Sequence, residues 1–409
     1  MKDGRKKIVV FLYNSFKDPV IQSNLFLYLK HTNENQQKYR FHIISFEQNA
    51  FKLSTEEELQ TKLALQKIAI NWTPLTFTPG GLMNKLMDFS KLIFVLTKLR
   101  VQGYKYLITL NSVAGAIGYV FSLFLRFKLY MYQYEPHSEF GVDGGLWTEK
   151  SLKFKVLNKL EYLSAKYATV ISNGTVYMLE RLKHWKVKAH VFKIPSVVNE
   201  DKFQFTQQGR AMVREKCGIP MDKHVILYPG KFGDLYYSTQ EVASFFNTIN
   251  KNIPNCFFMV LTMNDLLETK KIFEAEGLEP NQFLITRASY DEMPNYLSAA
   301  DLGLVAVPPQ PSKKFCSNIK VGEFLCTGLP YFICEGVSED DLVARKFDVG
   351  IPMKDLSTES TIAILPMVEK YLAEDKATIV ARCRPAGSDY RGFNKLILEF
   401  GKALDALTK

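Results

Sequence analysis

The sequence predicts an α/β chain of two Rossmann-like domains, each built on a parallel sheet and facing the other across a cleft. Apolar, β-rich runs alternate with helical stretches along most of the 409 residues, and the alternation restarts at residue 224 after a polar, proline-bearing segment. That length also exceeds what one core commonly serves. An apolar share of 47% beside 23% charged residues belongs to a globular chain, so disorder does not dominate.

In the first half, "KIVVFLY" (7–13), "RFHIISF" (40–46), "AINWTPLTF" (69–77), "YLITL" (106–110), "KLYMYQY" (128–134) and "ATVIS" (168–172) read as strands. Helices are expected near 82–100, 113–125 and 150–166. "HVILYPG" (224–230), "CFFMVLT" (256–262), "QFLITRA" (282–288), "LGLVAV" (302–307) and "PYFIC" (330–334) repeat the rhythm in the second half. Strand and helix in alternation imply right-handed crossovers and sheets covered on both faces. The expected division is an acceptor-binding domain over 1–197 and a nucleotide-sugar domain over 198–390, with a last helix over 391–409. Phe393, Leu396, Ile397, Phe400, Leu404 and Leu407 recur there at helical spacing, so this helix must bury a face, on the first domain or within the second.

"YLITLNSVAGAIGYVFSLFL" (106–125) carries no charge and is nearly long enough to cross a bilayer. Asn111 and Ser112 divide it, and a buried strand, a short loop and a buried helix are expected instead. Residues 1–200 hold 28 Lys and Arg against 15 Asp and Glu, a balance of +13, whereas residues 201–409 hold 24 against 27, a balance of −3. The asymmetry points to an anionic partner of the first half, or to solvated helix faces of a basic protein. All six cysteines lie in the second half, mostly in apolar runs and never as C-x-x-C, which suits small core residues in a reducing compartment. "MKDGRKK" runs into a short strand with no small-residue cleavage site, so no secretory leader is expected.

In open α/β sheets ligands bind beyond the carboxyl ends of strands, so the loops that follow strands hold the candidates. After "HVILYPG", Gly230 and Gly233 flank Lys231 and Phe232. Glycines let backbone approach a phosphate and the ammonium neutralises it, although such glycines also serve ordinary turn chemistry. A helix starting near Ser317 to Lys320 would leave the N–H groups of Asn318, Ile319 and Lys320 unpaired for a diphosphate, with Glu323 one turn on to meet ribose hydroxyls. The plain alternative makes Ser317 a helix cap and Glu323 a surface charge. "EPHSE" places Glu135 and His137 just past a strand end, where an imidazole donates to developing charge or is held by a loop carbonyl. "NSFKDPVIQSN" offers Asn14, Ser15, Asp18, Gln22 and Ser23, which suit a polyol. No G-x-G-x-x-G opens the first domain, and no Walker loop, H-E-x-x-H or Asp-x-Asp occurs, so neither a dinucleotide cofactor nor a metal is expected.

On these residues the chain resembles family 4 glycosyltransferases of the GT-B fold, a bacterial group-1-like set, over most of its length. "VISNGTVYMLERL" with "IPSVVNEDKF" is similar to the segment before that family's interdomain linker, and "HVILYPGKFGD" to its donor-phosphate loop. "ASYDEMPNYLSAADLGLVAV" followed by "SNIKVGEFLCTGLP" carries the most specific likeness. The resemblance implies retaining, metal-independent, hexosyltransferase-like transfer from a UDP- or GDP-linked sugar to a glycan or lipid-linked acceptor. The setting it implies is polysaccharide or glycolipid assembly at the cytoplasmic face of a membrane, with no nucleic-acid partner. By the same carry-over Lys231 and Lys320 balance the diphosphate, Glu323 holds the ribose, the backbone near Arg287 faces the base, and His137 lies by the transferred sugar. The family's Glu-x7-Glu pair keeps Glu323 but has Phe315 at its first position, and Tyr236 stands where a further lysine is usual. A sugar-nucleotide epimerase of the same fold and a non-catalytic sugar-nucleotide binder are the rival classes. The basic segments "EKSLKFKVLNKLEYLSAK" and "RLKHWKVKAHVFK" either touch anionic lipid or are solvated helix faces.

Overall fold

A computed structural model describes residues 4–409. The chain divides into two compact units, one holding the residues up to Ile194 together with Leu396–Lys409, the other Pro195–Lys395.

The first unit is built on seven strands: β1 (Lys6–Leu12), β2 (Tyr39–Glu47), β3 (Ile70–Thr76), β4 (Tyr106–Leu110), β5 (Lys128–Tyr132), β6 (Val170–Asn173) and β7 (His190–Lys193). They pair in the order β3-β2-β1-β4-β5-β6-β7, parallel throughout. Ile8 to Leu12 are all buried, as a strand covered on both faces requires. The chain runs outward from β1 to β3 and then crosses back to β4, so the loops after β1 and β4 part company and leave a crevice at the carboxyl edge. The last helix, Phe393–Thr408, stacks Phe400 on Tyr28 at 4.9 Å between ring centroids and sets it 6.2 Å from Tyr130. Lys6 Nζ donates to Thr408 Oγ1 at 2.9 Å, and the Tyr39 hydroxyl to Asp405 at 3.1 Å.

The second unit holds β8 (His224–Pro229), β9 (Cys256–Leu261), β10 (Phe283–Thr286), β11 (Leu302–Val305), β12 (Tyr331–Cys334) and β13 (Gly350–Met353), in the order β10-β9-β8-β11-β12-β13. All five pairings are parallel, and the direction of travel reverses between β8 and β11. The fold class expected from the sequence is thus present: two parallel-sheet, Rossmann-like domains of seven and six strands.

Three details differ from expectation. β7 and β13 were not expected; the first is an edge of four residues in which only Val191 and Phe192 favour a strand, too short a run to read, and the second contains Gly350 and Pro352, which disfavour one. Asn111 and Ser112 form no loop, because the helix Asn111–Leu125 begins directly after β4. Asn111 makes this turn with φ of 67°, a conformation asparagine tolerates, and its Oδ1 accepts from the N–H groups of Val113 and Ala114 at 3.1 Å. No helix among the described residues is long and apolar enough to cross a membrane. The six cysteines are free thiols.

His42 on β2 gives the fold a pH signature. Burial first, and Lys98 second, push its imidazole down to about 4, while its Nε2 pairs with Thr73 Oγ1 at 2.8 Å. The folded state holds the neutral ring, so this contribution is complete above the unfolded value near 6.5 and is lost as pH falls towards 4. Melting followed from pH 7 to pH 4 is expected to lose up to about 3 kcal/mol through this group. A His42→Gln variant should flatten that part of the profile; an unchanged slope contradicts the assignment.

Candidate functional site

Each unit carries a candidate site where its strand order reverses. In the first unit a cavity of about 200 Å³ is lined by Asn14, Asp18, Asn111, Ser112, Tyr134, Glu135 and His137 among others. Asp18 caps the short helix Pro19–Gln22 by accepting from Val20 N at 2.9 Å, and its other oxygen accepts from Asn14 Nδ2 at 3.3 Å. Asn14 Oδ1 in turn accepts from Asn111 Nδ2 at 3.2 Å. A single relay therefore joins the loops after β1 and β4. Ser112 Oγ donates to the Glu135 carbonyl at 2.8 Å and ties in the loop after β5. The Tyr134 hydroxyl is buried with no hydrogen-bond partner among the described residues, which leaves a donor and acceptor for a ligand oxygen.

His137 opens the helix His137–Asp143 rather than lying in an open loop. Its ring is half-buried, 6.0 Å from Phe140 and 5.7 Å from Trp147 between centroids. Burial first, then Lys153, lowers its pKa, so the ring is the neutral imidazole at physiological pH. The turn beneath it is held by buried Glu161, which accepts from Ser138 N at 3.0 Å and Ser138 Oγ at 2.6 Å; burial raises that carboxyl's own pKa.

Three residues expected here turn away. Ser15 is buried and accepts from Gln48 N at 2.7 Å, Gln22 donates to the Phe16 carbonyl at 2.6 Å, and Ser23 donates to the Pro19 carbonyl at 2.8 Å. Their polar atoms satisfy backbone instead of lining the cavity. Asn111, Ser112 and Tyr134 take their place, and the signal for the first two was present in the polar pair that interrupts residues 106–125.

The second unit gathers its candidates along the carboxyl edge of β10, β9, β8 and β11. Gly230 N donates to the Leu261 carbonyl at 3.0 Å and Phe232 N to Asn264 Oδ1 at 3.2 Å, fastening the loop after β8 to that after β9. Gly233, at φ of 80°, turns the loop through the left-handed region that a side chain would strain. Tyr237 N donates to the Ala306 carbonyl at 3.4 Å, which fastens the same loop to the segment leaving β11. Lys231 is exposed. Arg287 is exposed just past β10, two strands from β8, or roughly 10 Å at ordinary strand spacing.

The helix expected near residue 317 spans Ile319–Cys326. Asn318 is its cap, not Ser317, and its Oδ1 accepts from Lys320 N at 3.0 Å, so the Lys320 N–H is not open to a ligand as expected. Ser317 Oγ instead accepts from Ser196 N at 2.8 Å and from Arg391 Nη1. Glu323 is not a surface charge. Its side chain is 3% exposed and accepts from Lys320 Nζ at 2.9 Å, and the lysine is 31% exposed. One face of this helix is pinned by close approach: a Cβ on Gly322 would meet Val198 at 2.6 Å and Arg391 at 2.9 Å. Phe315, at the first position of the family's acidic pair, is buried. No group of three or more His, Cys, Asp or Glu among the described residues is arranged to hold a metal ion.

No protein-family model and no curated protein matches the sequence. Solved structures do match. Sucrose-phosphate synthase from Thermosynechococcus elongatus is 14% identical, with 99% of both chains covered and a TM-score of 0.72. HepE of Anabaena, solved with UDP-glucose, is 14% identical over 98% of this chain and 99% of its own, with a TM-score of 0.68. A glycosyltransferase from Rickettsia africae is 12% identical over 99% of both, with a TM-score of 0.71. At such identities the likeness is one of fold, and that fold is GT-B.

Proposed function

We propose that the protein is a glycosyltransferase that moves a sugar from a nucleotide sugar, UDP- or GDP-linked, to a glycan or lipid-linked acceptor, with retention and without a metal. The observation that carries this reading is the junction of two loops at the β8/β11 reversal. The Tyr237–Ala306 bond brings the glycine-edged Lys231 loop alongside the segment that leads to Lys320 and buried Glu323. Two ammonium groups suit a diphosphate, and a carboxylate held from water suits vicinal hydroxyls of a ribose. Acceptor recognition falls to the first unit's cavity, where Asn14, Asp18, Glu135 and the Tyr134 hydroxyl supply polyol partners.

In the reaction the bond between the anomeric carbon and the diphosphate oxygen breaks, an acceptor hydroxyl oxygen forms the new bond on the same face, and its proton passes to the departing diphosphate. Negative charge grows on the departing diphosphate, and preorganised cations there lower the barrier. His137, as a neutral donor, is assigned to the transferred sugar. His137→Ala is then expected to lower turnover about tenfold, the worth of one neutral hydrogen bond, with folding unchanged. Unaltered turnover removes it from the reaction.

Release of nucleoside diphosphate from a panel of sugar nucleotides, with and without cell-derived lipid acceptors, tests the whole reading. Acceptor-dependent release supports transfer. Interconversion of free sugar nucleotides without an acceptor identifies an epimerase instead, and binding without turnover a silent member. The setting we propose is polysaccharide or glycolipid assembly at the cytoplasmic face of a membrane.

A further inference from the structure

The helix Leu82–Val101 is apolar on two opposite sides. Leu92, Leu96 and Leu99 are buried, while Met83, Met87, Phe94 and Val101 are 71%, 49%, 72% and 85% exposed. At 100° per residue those four positions fall within about 40° of one another and form a straight ridge about 27 Å long. Phe89 meets Phe121 on Asn111–Leu125, and Tyr119 of that helix meets Tyr167 on Leu152–Tyr167, so the three helices are neighbours. The second adds Leu123 and Phe124 at 50% and 76% exposure, the third Leu152 and Val156 at 76% and 47%. Scattered exposed hydrophobics need no explanation, but a straight apolar ridge on one helix, with further exposed apolar residues on its two neighbours, does.

Charge says what covers it. Leu82–Val101 carries Lys85, Lys91, Lys98 and Arg100, and Leu152–Tyr167 carries Lys153, Lys155, Lys159 and Lys166. The only acids on the three helices are Asp88 and Glu161, and both are buried. Lys98, Lys155 and Lys159 form no ion pair among the described residues. A second copy of this chain presenting the same face would set these cations against their like. An anionic lipid surface matches both features, since long lysine stems reach headgroups while the ridge enters the acyl boundary.

We propose that the face formed by helices Leu82–Val101, Asn111–Leu125 and Leu152–Tyr167 docks on the surface of an anionic bilayer. Lipid contact is part of the reading above; the ridge on Leu82–Val101, which the sequence did not mark, is the new element. The full chain is expected to co-sediment with vesicles of phosphatidylcholine containing phosphatidylglycerol, not with phosphatidylcholine alone, and to be released at high salt. Phe94→Ser with Val101→Ser should weaken partition about tenfold or more, and Lys155→Glu with Lys159→Glu at least fivefold for each lysine. Unchanged melting temperatures and unchanged UDP affinity show that the variants fold and that the nucleotide site is a separate matter. Absence of wild-type binding to anionic vesicles, full binding by the serine variant, or a solution dimer that the serine variant splits each overturns the proposal.

Discussion

Replacing Arg391 with Met is expected to destabilise the Pro195–Lys395 unit by about 3–5 kcal/mol, the cost of leaving a buried carboxylate without its cation. Arg391 and Asp340 are both fully buried, with Nη2 and Oδ1 2.6 Å apart. Burial raises the Asp340 carboxyl, and Arg391 with the Tyr390 hydroxyl at 2.9 Å works against that. The guanidinium also binds Ser317 Oγ and the Ser196 carbonyl, so it fixes the turn that leads into Ile319–Cys326. Melting should fall by roughly 10 °C for a unit of this size. Asp340→Leu added to Arg391→Met should regain most of the loss, because an apolar pair of similar volume needs no charge solvation. A single variant that melts like the wild type would show that the pair contributes no stability.

Lys320→Ala should weaken binding of UDP or GDP by about tenfold to a hundredfold, as measured by calorimetric titration. A charge-assisted hydrogen bond is worth about 1.5–3 kcal/mol. The lysine faces the diphosphate in the proposed site, and its removal also strands the buried Glu323. Glu323→Ala is expected to act in the same direction by less, because ribose hydroxyls are neutral. If both variants keep wild-type affinity, the nucleotide does not sit at the start of this helix.

Much of this was legible along the chain. Eleven of the thirteen strands were readable as apolar runs, because a strand covered on both faces must be apolar at every position, as Ile8 to Leu12 and Val225 to Tyr228 are. The two that escaped are short, and one is exposed and the other glycine- and proline-bearing, so neither leaves a local signature. Of the side chains proposed in the first unit, Asn14, Asp18, Glu135 and His137 reach the cavity, whereas Ser15, Gln22 and Ser23 are drawn to backbone groups that also need partners.

Residue order alone determined the α/β class, the two-domain rhythm and which loops follow strands, since period and turn chemistry act over a few neighbours. It also supplied Lys231, Lys320 and Glu323 as candidates. Which hydroxyls and amides stay open to a ligand was decided largely by tertiary structure: Arg391 claims Ser317 across 74 positions, and Asn111 joins Asn14 across 97. Every polar group near a packed sheet is contested by distant ones, and only the assembled fold settles which partner prevails.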